Sequence, residues 1–337
     1  MKTFWRHRVR GYREAAAFAA VAFVTLCAVG LIGFVMVLRP GAQELGVTFS
    51  WRYAQDLNMN PEDAFTAIVS ELGVKRVRLP VYWSDIETSA EQWDFARLDR
   101  LMAIAAAHDV QVTLAIGMKV PRWPECYVPS FIDASDESVL NAAVYRYSQA
   151  LIEHAKHYDA LVGWQVENEP LFPYGDCPSP SLERLTHEVA LVRGLDTTHP
   201  IMLTVSGEQE PWLDLSSLAD TIGVSMYRFA YNDALGAVAF PYSPLYYRVH
   251  SLITKLYAKD VVISELQMEP WFTGDPQESS SMAIPFGVKD FVEHLDFARQ
   301  TGIRSVLLWG SEWWYYEKVH GDSSLWDIAK QAFSESK

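Results

Sequence analysis

From about residue 44 onward the chain repeats one pattern. A short, nearly continuous apolar run is followed by a longer stretch in which apolar residues recur every three or four positions. The continuous runs fall at 45–50, 74–80, 110–116, 161–166, 201–205, 222–227, 261–265 and 305–309. Apolar runs of this length without alternation predict strands buried on both faces, as in a parallel sheet. Between them, Phe65, Ile68, Val69 and Leu72 stand at i, i+3, i+4 and i+7, one stripe of a helix. Asn60-Pro61-Glu62-Asp63 supplies its cap, a proline in the first turn and acids at the positive end of the dipole; Gly73 stops it. Further helices are predicted from Phe95, Leu98, Leu101 and Met102 onward, at 138–158, 182–193 and 243–257, through Val288–Ala298 up to Gly302, and at 324–333.

Eight strands with helices between most of them predict a single α/β domain, a (β/α)8 barrel spanning residues 45–337. The competing doubly wound sheet lacks its usual support, because no G-x-G-x-x-G opens a helix after the first strand. No internal repeat and no linker interrupts this stretch.

The first forty residues are patterned differently. Residues 1–14 carry five basic side chains against Glu14, a net charge of +4. Residues 15–38 then run for 24 positions without a charge, and Arg39-Pro40-Gly41 ends the run. As a helix it is roughly 36 Å long, enough to cross a ~30 Å hydrocarbon layer with some tilt. A cleaved signal peptide has a shorter apolar region and a small-residue cleavage site. The pattern therefore predicts a basic cytoplasmic leader (1–14), a transmembrane signal anchor (15–38) in the lipid bilayer, a short linker (39–44) and an extracytoplasmic barrel, in periplasm or at the cell surface.

Composition narrows the chemistry. Half of the residues are hydrophobic, which excludes a disordered chain. The formal net charge is −14, and the part after the leader carries −18. That acidity argues against a nucleic-acid partner. Cys27 lies in the predicted span, whereas Cys126 and Cys177 follow the third and fourth strands. Outside the cell these two are candidates for a disulfide pinning neighbouring loops; two free thiols are the alternative. No G-x-S-x-G elbow and no P-loop is present. His154 and His157 fall on a predicted outer helix, so neither a catalytic metal nor a cofactor is expected.

In a barrel, catalytic groups stand at the C-terminal ends of strands. Strand four runs into Glu167-Asn168-Glu169-Pro170 and strand seven into Glu265. Glu169 and Glu265 are 96 residues apart, three βα units, which carries both to one rim. Paired carboxylates across a cleft are what glycoside hydrolysis needs: one protonates the leaving oxygen, and the other attacks the anomeric carbon or activates water. Glu208, Glu210, Glu269 and Glu312 also lie after strands, but none terminates an apolar run. Trp83, Trp123, Tyr127, Trp212, Trp271, Trp309, Trp313 and Trp314 crowd the same rim. An indole face is an apolar platform for a sugar, and about half of these are expected to cap the core instead. Trp83 and Trp123 are carried forward as candidate substrate contacts.

The stretches GVKRVRLPVYW (73–83), WQVENEP (164–170), VVISE (261–265) and VLLW (306–309), with Gln92-Trp93-Asp94-Phe95, carry a resemblance. Over residues 45–335 the chain resembles the glycoside hydrolases of clan A, in particular cellulase-like members related to family 5. The resemblance implies a retaining double displacement, with Glu169 as acid/base and Glu265 as nucleophile. It further implies that Asn168 holds the sugar 2-hydroxyl, that Arg78 supports the nucleophile, that Tyr227 stands beside it, and that Trp309 is the sugar platform. Where many family 5 members carry His-x-Tyr on strand six, this chain has Ser225-Met226-Tyr227. The expected partner is an oligo- or polysaccharide. A transglycosylase remodelling an envelope polysaccharide, and a catalytically silent carbohydrate-binding barrel, are the alternatives. Sugar identity and oligomeric state are left open.

Overall fold

The computed structural model describes Thr25 and residues 42–336 other than Asp233. The predicted leader, the predicted span apart from Thr25, and the start of the linker lie outside the described residues. Among the described residues no helix is long and apolar enough to cross a membrane.

Eight parallel strands close into a barrel: β1 (Glu44–Thr48), β2 (Arg76–Pro80), β3 (Gln111–Ile116), β4 (Leu161–Val166), β5 (Ile201–Ser206), β6 (Thr221–Met226), β7 (Asp260–Gln267) and β8 (Ser305–Trp309). Each strand neighbours the next in sequence, and β8 closes onto β1 over five residue pairs, Glu44 to Ser305 through Thr48 to Trp309. The strands are buried nearly throughout, which is why they read as unbroken apolar runs.

The helices follow the stripes read from the sequence. Pro61–Glu71 is capped by the Asn60 side chain, which accepts from the Glu62 and Asp63 amides. Ala96–Ala107, Glu137–Ala155, Leu182–Leu195, Pro244–Thr254, Val288–Thr301 and Ser324–Glu335 complete the outer layer. Residues 207–220, between β5 and β6, form turns and no helix.

Sequence patterning did not show the additions to the C-terminal rim. Short helices Trp51–Asp56 and Ser311–Val319 follow β1 and β8, and two-stranded hairpins follow β2, β6 and β7. They are too short, and too mixed in polar and aromatic residues, to carry a period. Cys126 and Cys177 are joined in a disulfide, with Cα atoms 5.2 Å apart, so the loops after β3 and β4 are covalently linked.

Candidate active site

The β4 exit aims three consecutive side chains in three directions. Glu167 and Glu169 both adopt left-handed backbone, with φ of 57° and 43°. For non-glycine residues that conformation costs about 1–3 kcal/mol each and persists only where surrounding contacts hold it. Glu167 turns toward the β3 loop, where its carboxylate accepts from the backbone amides of Met118 (2.9 Å) and Lys119 (2.6 Å). Gly117 permits the approach, because a Cβ there would sit 2.5 Å from Glu167 Oε1. Asn168 turns into the barrel mouth and accepts from Arg78 Nη2 at 2.6 Å. Glu169 turns toward β6, where Ser225 Oγ donates to its Oε1 at 2.5 Å. The Glu169 amide donates to Thr204 Oγ1 at 2.8 Å.

Glu265 is delivered differently. The sequence places it at the end of strand seven, but β7 runs on to Gln267. The β6–β7 register shifts between Ile263 and Glu265, a bulge at Ser264. A bulge re-aims the side chain that follows it. The Ser264 carbonyl accepts from Arg78 Nη1 at 3.3 Å. The same nitrogen donates to Glu265 Oε1 at 2.7 Å, and the Tyr227 hydroxyl donates to Oε2 at 2.9 Å. Arg78 is fully buried and also donates through Nε to Gln165 Oε1 at 2.6 Å. One guanidinium thus ties together β2, β4 and β7.

The two glutamates sit in contrasting fields. Glu265 has a buried cation and a phenol on its two oxygens. Among the described residues no cation pairs with the Glu169 carboxyl; burial, then the charges of Glu265 and Glu125, hold it well above the usual carboxylate range against the opposing Ser225 bond. Burial and the Glu265 charge likewise push the Tyr227 phenol well up, so it stays a donor. Glu208 orients that tyrosine by accepting its backbone amide at 3.0 Å while also accepting from the Tyr247 hydroxyl; burial raises Glu208 to about 7.

The remaining acids are accounted for. Glu269 pairs with Arg122 through both carboxylate oxygens. Arg122, missed in the sequence, lies 3.7 Å from the Tyr53 ring centre and 4.0 Å from that of Trp309, with Glu312 beside it at 3.7 Å. Glu312 accepts from the Ser50 amide. Glu210 accepts from the Ser206 amide at 2.7 Å.

Of the predicted site residues, Arg78, Asn168, Glu169, Tyr227 and Glu265 converge. Trp309 stands at the end of β8, is itself only 8% exposed, and has one ring face under the Arg122 guanidinium. Trp123 is 62% exposed on the β3 loop, edge to face with Tyr174 of the β4 loop. Trp83 is a correction. It is fully buried, stacked on Tyr147 at 5.3 Å with its indole N–H donating to Glu87, so it has no face to offer a sugar. Tyr127, Trp212, Trp313 and Trp314 are also buried. Sequence reasoning missed Ser225, Glu125, Lys119 and Thr204. Only the Ser-x-Tyr departure on strand six signalled any of them. A cavity of about 180 Å³ lies between the β4 loop and helix Leu182–Leu195, lined by Lys119, Glu167, Tyr174, Arg184 and Glu188, and backs onto the glutamate-bearing loop without containing either catalytic candidate.

A barrel with two buried glutamates, one just after β4 and one on β7, and a β2 arginine holding the second of them, defines the class. The comparisons fall within it. A glycoside hydrolase family 42 model, described as β-galactosidase, matches residues 60–188. The β-galactosidase BgaA of Clostridium cellulovorans is 26% identical over 120 residues, 30% of this chain, and the match spans only 18% of that relative. A glycoside hydrolase family 5 subfamily 18 protein of Bifidobacterium longum, solved with Manβ1-4GlcNAc, superposes with a TM-score of 0.57 at 13% identity, covering 79% of this chain and 68% of its own. An exo-β-1,4-mannosidase of an Opitutaceae bacterium gives 0.56 at 14%, covering 80% and 52%. The chain is thus similar to the clan A glycoside hydrolases of cellulase-like type, as its motifs implied.

Proposed function

We propose that this protein is a retaining β-glycosidase in which Glu169 is the acid/base and Glu265 the nucleophile. The observation carrying this reading is the opposed environment of the two carboxyls. A nucleophile must be ionised, and Glu265 bonds a buried guanidinium. A general acid must keep its proton near neutral pH, and burial beside two other carboxyls does this for Glu169. In the first step Glu265 attacks the anomeric carbon while Glu169 gives its proton to the leaving oxygen. In the second Glu169 takes a proton from water, which attacks the same carbon and releases Glu265. Asn168 holds the 2-hydroxyl, and Trp309 and Trp123 serve as platforms. The names of the similar proteins make β-galactosides and β-mannosides the first substrates to try.

The placement is part of the proposal: residues 15–38 anchor the chain in the bilayer, with the barrel outside. The Cys126–Cys177 disulfide supports this, since such bonds persist in oxidising compartments.

Covalent trapping tests the reading. Full-length protein in detergent is incubated with 2-deoxy-2-fluoro β-glycosides and peptide-mapped. A sugar adduct on Glu265 is the expected result. An adduct on Glu269 would mean the nucleophile is misassigned, and no adduct from any sugar in protein that still binds oligosaccharide would leave a silent binding barrel.

A further inference from the structure

Glu125 stands in the β3 loop beside Cys126, one residue from the disulfide that fixes the loop. It is 7% exposed and has left-handed backbone, φ 71°. Its amide donates to the Arg122 carbonyl at 2.7 Å, and its own carbonyl accepts from Val120 at 2.9 Å, so the turn is closed on itself. Its Oε1 accepts from Asn168 Nδ2 at 3.4 Å. Its Oε2 is buried and has no hydrogen-bond partner. The nearest cation is Lys119 Nζ at 3.5 Å. That ammonium also donates to the carbonyls of Glu169 (3.0 Å) and Phe172 (2.8 Å).

A buried carboxyl oxygen left without a donor is destabilising, and such groups in native proteins need an explanation. The Lys119 ion pair satisfies it only in part, because 3.5 Å is a long contact and two of the three ammonium N–H groups go to the Glu169 and Phe172 carbonyls. Asn168 ties Glu125 to the proposed catalytic pair: its Nδ2 donates to Glu125, and its Oδ1 accepts from the same Arg78 that bonds Glu265. Adjacent hydroxyls of a pyranose are close neighbours, and so are the Asn168 amide and the Glu125 carboxyl, 3.4 Å apart.

We propose that Glu125 binds the sugar hydroxyl next to the one held by Asn168, the 3-hydroxyl of the residue being cleaved, and so helps set which β-glycosides fit. The inference rests on the glycosidase reading and on the Asn168 assignment. Burial raises Glu125 to about 8, and its carboxyl can accept from a hydroxyl and, when protonated, also donate to one.

The test crosses protein and substrate changes. Wild type, Glu125→Gln and Glu125→Ala are assayed on an aryl β-glycoside that wild type cleaves and on its 3-deoxy, 4-deoxy and 6-deoxy analogues. For wild type, kcat/KM is expected to fall roughly 10- to 100-fold on the 3-deoxy analogue. Glu125→Ala is expected to lose a similar factor on the parent and little more on the 3-deoxy analogue, while Glu125→Gln keeps part of the discrimination. If the penalties of substitution and deoxygenation multiply at every ring position, Glu125 touches no hydroxyl and the proposal is overturned, even with Glu265 trapped. If wild type cleaves no glycoside and Glu265 is never labelled, the glycosidase reading falls first. Thermal melting of both variants separates lost contact from lost fold.

Discussion

The Ser225→Ala substitution probes the acid assignment through one bond. Ser225 Oγ donates to Glu169 Oε1 at 2.5 Å, and this bond favours the ionised form of a carboxyl otherwise held high by burial and by Glu265 and Glu125. A hydrogen bond to a charged group is worth about 1.5–3 kcal/mol, and one pH unit corresponds to about 1.4 kcal/mol. Losing the bond therefore raises the Glu169 pKa by roughly one to two units. As general acid, Glu169 must be protonated, so kcat/KM falls as pH rises through its pKa. The alkaline limb of the variant is expected to lie one to two units higher than that of wild type. The assay is kcat/KM against pH for an unactivated β-glycoside, with a dinitrophenyl glycoside as control, whose leaving group needs little protonation. The control should show a weak alkaline limb in both proteins. A Ser225→Ala limb that stays put, or moves down, would mean that Glu169 does not govern the limb or that Ser225 does not stabilise its charge. Stability should fall by about 1–3 kcal/mol, since a buried carboxyl oxygen loses its donor.

Three further outcomes follow from the structure. Trp83→Ala should destabilise the fold by about 3–5 kcal/mol, as for other buried aromatics, and leave KM unchanged; a raised KM at unchanged melting temperature would return Trp83 to the cleft. Reduction of the Cys126–Cys177 bond, which spans 51 residues, should lower stability in a denaturant titration by up to about 4 kcal/mol on the chain-entropy account. Burial lifts Glu208 from 4.5 to about 7, so the folded protein holds a proton that the unfolded chain releases earlier. Stability present below pH 4.5 is then lost as pH rises through 7, and Glu208→Gln should flatten that slope by about 3 kcal/mol in melts between pH 5 and 8.

The barrel was legible because its strands are buried on both faces and its helices on one. These two burial patterns write two different periods into the sequence. Both candidate glutamates were legible for the same reason, since each stands where an apolar run gives way to polar residues. Glu265 shows the limit of that rule: β7 continues to Gln267, and the residue points into the site because of a bulge at Ser264. A bulge adds a residue without changing composition, so hydrophobic pattern alone does not reveal it. Trp83 shows the converse. A tryptophan after a strand marks the rim, but burial depends on whether Tyr147 from another helix covers it, and that contact spans 64 residues.

Arg122 and Glu125 were invisible for a related reason. Their roles come from the closed turn between Val120 and Cys126, where backbone bonds, two left-handed residues and a disulfide turn the two charged side chains in opposite directions. Arg122 neutralises Glu269 on the β8 side, and Glu125 faces Asn168 on the β4 side. The segregation has an electrostatic consequence. Had Arg122 faced Glu169 instead, a cation beside that carboxyl would favour its ionised form and remove the proton the proposed acid needs. With Glu125 there, a further carboxyl adds to the burial that keeps Glu169 protonated. Which way the turn faces therefore bears on whether Glu169 is poised as an acid or as a spectator carboxylate. The β3 loop is thus part of the proposed acid's environment, and swapping its polarity should disable Glu169 without touching it.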